Sequence, residues 1–149
     1  MNTWTETMGN KLNDLLEKTN DAEKGFRKAA ENTNHTYLKK YFQNKAQERN
    51  EFGNELKLEI TSLGEEIEKE GSFTGAAHRA WMDIKALFLL DSDESMLKEA
   101  LKGEKVTLEE YDEILNETSL PYSTQSVLLK QREVIAKDLN TIKRLEDIR

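Results

Sequence analysis

Apolar side chains recur at spacings of three and four along four stretches of this chain, and each seam is interrupted by a polar residue. In the first stretch Leu12, Leu16, Thr19, Phe26 and Ala30 share a stripe, with Glu23 in the same register. That period predicts an amphipathic helix over residues 8–32, closed by the polar cluster Asn32, Thr33 and Asn34. Asn34 is the expected N-cap of a second helix, since its side chain can accept from the orphan amides of the first turn. The second helix reaches residue 63 with Leu38, Phe42, Phe52 and Leu56 on one stripe, and Gly64 suits a left-handed stop. A third helix is expected over residues 91–116. Asp91 and Glu94 form a start resembling a capping box, and Leu97, Leu101, Leu108, Tyr111 and Leu115 share a stripe with Glu104. Leu120 and Pro121 break the chain, with Pro121 suited to a first helical turn. The fourth helix follows, with Leu128, Ile135, Ile142 and Leu145 in its seam and Gln131 and Asp138 in register.

Between the second and third helices the pattern changes. Gly71, Ser72, Thr74 and Gly75 mark a loop, and residues 76–89 read as a shorter helix with Ala77, Trp81, Ile84 and Phe88 on one face. Each long helix would extend ~40 Å at ~1.5 Å per residue. The short links after the first and third helices predict antiparallel hairpins. The long middle connection can cross the bundle, making the second and third helices parallel. The expectation is an all-α, ferritin-like four-helix bundle: two antiparallel hairpins joined by a long crossover containing a short helix, in one domain over residues 1–149.

Size and charge narrow the function classes. The 149 residues suffice for one domain with a core. There is no cysteine, which excludes disulfides, thiolate nucleophiles and cysteine metal sites. The formal net charge is -7 with 34% charged residues. No basic stripe is present to displace counterions, so nucleic acid and an anionic membrane surface are not expected partners. No apolar run approaches the roughly 20 residues of a spanning helix, and no secretory signal pattern opens the sequence, so a cytoplasmic location is expected.

A family resemblance rests on several short runs. Leu12-Asn13-Asp14-Leu15 in the first helix, Gly25-Phe26 after Glu23, the Glu48-Arg49 pair, the run His78-Arg79-Ala80-Trp81-Met82-Asp83, the Gly103-Glu104 pair and Tyr111 all contribute. Together they resemble the bacterial ferritin-like four-helix-bundle proteins of unknown function that carry a Leu-Asn-Asp-Leu signature in the first helix. The resemblance covers nearly the whole chain. It implies the fold, a bacterial cytoplasmic setting and a stress-related role, and it implies no established enzymatic activity. The departure lies in the last helix, where Leu139 stands at a position that many members give to a histidine.

The candidate chemistry sits at the bundle waist. Glu23, Glu48 and Glu104 lie near the midpoints of their helices, and hairpin geometry brings those midpoints to a similar depth. A carboxylate at such a level is costly unless paired, protonated or bound to metal. One reading is an altered di-metal carboxylate site for Fe or Mn, using Glu23, Glu48, Glu51 and Glu104 as ligands. Such a site takes one Glu from each of two helices and a Glu-x-x-His from each of the other two. Here Glu48-Arg49-Asn50-Glu51 has Glu in place of His, the last helix has neither half, and His35 and His78 lie elsewhere. The simpler reading, with no cofactor, is a buried ion-pair network in which Lys45 or Arg49 neutralises Glu23 or Glu104. Gly25 and Gly103, beside the carboxylates, fit close helix approach better than room for a ligand.

No serine or carboxylate is evidently paired with His78, so no catalytic residue is assigned. The run Glu65, Glu66, Glu68 and Glu70 reads as a solvated loop rather than a calcium site. The preferred expectation is therefore a non-enzymatic structural or interaction-type bundle, acting through its surface or as a homo-oligomer with a protein partner that the residues do not identify.

Overall fold

Helix boundaries in this chain follow from where backbone amides and carbonyls find partners. The computed structural model describes residues 3–67, 93–116 and 120–148. Among them the chain forms four α-helices: α1 (Thr3–Asn32), α2 (Thr36–Ser62), α3 (Asp93–Leu115) and α4 (Tyr122–Ile148). α1 begins at Thr3 rather than at residue 8, because Met8 is buried and Trp4 packs on the same apolar cluster. The cap of α2 is His35, not Asn34 as the pattern predicts. His35 Nδ1 accepts from the Leu38 amide at 3.3 Å, and the His35 amide donates to Thr33 Oγ1 at 3.2 Å. The imidazole thus takes the role usually played by a short polar side chain.

At the far end of α2, Gly64 adopts φ +80 and the Glu65 amide reaches back to the Ile60 carbonyl. This is the left-handed stop the sequence predicts. Pro121 sits one position outside α4, its carbonyl accepting from the Gln125 amide at 2.9 Å. The short helix expected over residues 76–89 and the expected cap residue Asp91 lie outside the described residues, as do His78, Glu68 and Glu70.

Cross-helix partners give the directions. Phe26 stacks on Phe42, while Gly53 lies against Leu16 and Asn20, so α1 and α2 are antiparallel. Lys18 pairs with Glu110 at 2.8 Å, and Phe26 shares a cluster with Met96, Leu97 and Ala100, so α3 runs against α1. Tyr41 meets Asp138, Glu55 meets Gln131 and Glu59 meets Ser123, so α4 runs against α2. α2 and α3 therefore point the same way.

The apolar core is in two parts. One, nearer the α1–α2 turn, holds Ala22, Phe26, Leu38, Phe42, Met96 and Leu97; the other holds Leu12, Leu15, Leu56, Ile60, Tyr111, Leu128 and Ile135. Burying a side chain such as Phe42 or Leu56 contributes about 2 kcal/mol. The signature in α1 is structural here. Leu12 and Leu15 are core, Asn13 donates to the Glu66 carbonyl at 2.9 Å, and Asp14 pairs with Lys18 at 2.7 Å. Lys18 therefore bridges α1 to Glu110 of α3. Burial pulls its ammonium down, but the Asp14 and Glu110 hydrogen bonds outweigh that and leave it raised.

Candidate functional site

Between the two apolar clusters lies a polar layer built from α2, α3 and α4. Its centre is Arg49. The side chain is 1% exposed, and Nη2 donates to Glu104 Oε2 at 2.5 Å; Glu104 is 0% exposed. Arg49 faces outward nowhere because position 49 shares the α2 stripe of Phe42 and Leu56. Its guanidinium lies 5.4 Å from the Phe26 ring centroid and 5.8 Å from that of Phe52. Those ring faces partly replace the water a cation loses on burial. Arg49 Nε and Nη1 have no hydrogen-bond partner among the described residues, where the rings are their main compensation.

One helix away, Asp138 approaches Glu104 closely enough for their carboxyl groups to hydrogen-bond. Asp138 Oδ1 accepts from the Tyr41 hydroxyl and lies 3.4 Å from Lys45 Nζ. Lys45 also bonds Glu48 at 3.1 and 3.2 Å. Tyr41, Lys45 and Arg49 are successive i, i+4 positions, so among the described residues one face of α2 supplies the donors to the pair.

The electrostatics follow from burial. Desolvation pushes the Glu104 carboxyl up to about 8; Arg49 opposes this and Asp138 adds to it. The Tyr41 phenol is held far above its ordinary range by burial first and the Asp138 carboxylate second. Burial also raises Tyr111. Arg49 stays above its usual value because Glu104 outweighs its desolvation.

Two further polar contacts flank the layer. The Tyr111 hydroxyl donates to Gln131 Oε1 at 2.5 Å, and Gln131 Nε2 donates to Glu55 and to the Phe52 carbonyl. Toward the α2 C-terminus, buried Glu59 accepts from Ser123 and Thr124 in the first turn of α4. A carboxylate there is favoured by the unsatisfied amides of the helix start.

The structure separates the residues that the sequence groups as ligands. Glu104 is central. Glu48 is half-buried at 23% and held by Lys45. Glu23 is 18% exposed, accepts from Arg27 and from Asn50 at 3.4 Å, and opens onto a surface cleft with Lys24 and Lys57. Glu51 is exposed. Among the described residues no group of three or more His, Asp or Glu side chains is arranged to hold a metal ion. Sequence reasoning placed Asp138 and Gln131 in register but did not find their partners. It missed Tyr41, although its i, i+4 spacing to Lys45 and Arg49 was the available signal.

No described helix is long and apolar enough to cross a membrane. Residues 7–117 match a family model described as a domain of unknown function, DUF2383. That span includes Arg49 and Glu104 but stops short of Asp138 and the rest of α4. No curated protein matches the chain.

Proposed function

The chain belongs to the DUF2383 family, a domain of unknown function, and from that premise we propose that it is a non-catalytic, ferritin-like scaffold whose waist is closed by an arginine. The carrying observation is the buried Arg49–Glu104 pair. In a di-metal carboxylate bundle, inward-facing carboxylates converge on cations at this level. Here a guanidinium fixed between Phe26 and Phe52 supplies the positive charge. The parallel direction of α2 and α3, read from their partners on α1, supports the ferritin-like assignment. Work is done in this reading by the surface of the bundle, alone or as a homo-oligomer, in a bacterial cytoplasm under stress.

The test is elemental analysis of protein purified without chelator, followed by Fe(II) and Mn(II) titration of the native chain. The scaffold reading expects neither metal near stoichiometry. Stoichiometric uptake that disappears in Glu104→Gln would overturn it in favour of an iron or manganese protein built on Glu104 with Glu23, Glu48 and Glu51.

A further inference from the structure

Two carboxyl oxygens at the waist lack a donor. Glu104 Oε1 and Asp138 Oδ2 are both buried without a hydrogen-bond partner among the described residues. The other oxygen of each is engaged, Glu104 Oε2 by Arg49 and Asp138 Oδ1 by Tyr41 and Lys45. A carboxylate can only accept, so two ionised groups here would face each other with like charge and no donor between them. One proton converts the contact into a donor and an acceptor and satisfies both. We propose that Glu104 and Asp138 form a one-proton binding site, the proton carried on Glu104 and donated to Asp138, and that its occupancy holds α3 to α4 at the waist.

Charge balance supports the site. α2 faces the pair with Tyr41, Lys45 and Arg49, with Glu48 beyond Lys45; α3 adds Tyr111; α1 presents the Phe26 ring across Arg49. With Glu104 neutral, Arg49 and Lys45 are matched by Asp138 and Glu48. With Glu104 ionised, the layer holds one anion in excess inside a medium that screens poorly.

The upward displacement of the Glu104 acid, led by burial, to about 8 puts the proton's release in the mildly alkaline range. The pair also has a way out. Tyr41, which donates to Asp138, also lines a surface cavity of about 290 Å³ with Tyr37, Lys40 and Asn44, so its phenol links the pair to the surface. The sign follows from linkage. The folded state holds this proton where the unfolded chain, near the ordinary value of 4.5, has lost it. The stabilisation is complete below the ordinary value and drains away as pH rises toward about 8.

Infrared titration tests the site directly on chelator-treated native protein. The expected spectrum at about pH 6 contains the C=O band of a buried protonated carboxylic acid, lost by about pH 9.5 and missing from Glu104→Gln at both. Asp138→Asn removes the anion beside Glu104 and supplies an amide donor, which favours the ionised acid beside Arg49, so the acid band is lost at a lower pH than in native protein. In denaturant titrations the midpoint of Glu104→Gln should gain on that of the native chain as pH rises, and level off above about pH 8. A native spectrum without the acid band, a band that survives in Glu104→Gln, or a midpoint difference independent of pH overturns the proposal. If Glu104→Gln does not fold, infrared titration of native protein carrying ¹³C-labelled glutamate decides alone. The inference rests on an arginine-closed waist. Metal uptake would sink that reading, whereas a missing acid band in metal-free protein sinks only the proton site.

Discussion

Replacing Arg49 by methionine isolates what the buried cation does, because methionine keeps much of its length and apolar stem. The change deletes the 2.5 Å bond to Glu104 and both ring contacts. A hydrogen bond to a charged group is worth about 2 kcal/mol, and each desolvated cation–ring contact about 1 kcal/mol. Against this stands the relief of no longer burying a guanidinium whose Nε and Nη1 have no hydrogen-bond partner among the described residues. The net expectation is a loss of about 3 kcal/mol, seen as a melting temperature lower by about 6–12 °C.

Urea titration followed by circular dichroism at about pH 6 measures the loss, and an unchanged m-value shows that both end states are comparable. The cost should grow above about pH 8, because without Arg49 the Glu104 acid moves still higher and goes on penalising ionisation where the native chain has finished. Arg49→Lys restores charge without the planar fork or the ring stacking and should recover only part of the loss. A penalty below about 1 kcal/mol for Arg49→Met, flat with pH, would refute the argument that this cation neutralises the waist.

Two further substitutions probe the polar contacts on either side. Tyr111→Phe leaves the ring in the core but removes the buried bond to Gln131, so it should cost about 1–2 kcal/mol in the same urea assay; a neutral result would mean that Gln131 re-pairs without it. Glu59→Ala strips the acceptor shared by Ser123 and Thr124 and should cost about 1–2 kcal/mol, with amide exchange fastest in the first turn of α4. Glu59→Gln keeps the acceptor and should recover most of that loss; equal effects of Ala and Gln would show that the carboxylate matters for charge alone.

The four long helices were readable because their signal is repeated many times over. Leu12, Leu16, Phe26 and Ala30 each vote for the same face, and a single polar residue cannot overturn them. Ends depend on one or two atoms and were read less well. Gly64 was legible because only its freedom at positive φ suits the stop, whereas the α2 cap fell to His35 rather than Asn34, since either side chain carries an acceptor. Position 23 shows the limit of register. It lies on the edge of the α1 stripe, and a rotation of part of a turn places it against Asn50 and Arg27 instead of the interior.

The waist shows why a carboxylate in an apolar seam announces a problem without naming its solution. Burial of Glu104 was legible from the spacing of Leu97, Leu101, Leu108 and Tyr111, but a carboxylate there can be satisfied by a cation, a proton or a metal, and its own helix does not distinguish them. The choice is made by other helices. Arg49 reaches it from α2 and Asp138 from α4, across sequence separations that no local pattern encodes. Once those two are placed, the alternatives are no longer equivalent. One guanidinium satisfies one oxygen of Glu104, a phenol and an ammonium satisfy one oxygen of Asp138, and the two oxygens left over are both acceptors. The smallest species that can lie between two acceptors is a proton. A bundle with such a layer carries its response to pH in the packing of α3 on α4, at the level where its two apolar clusters meet.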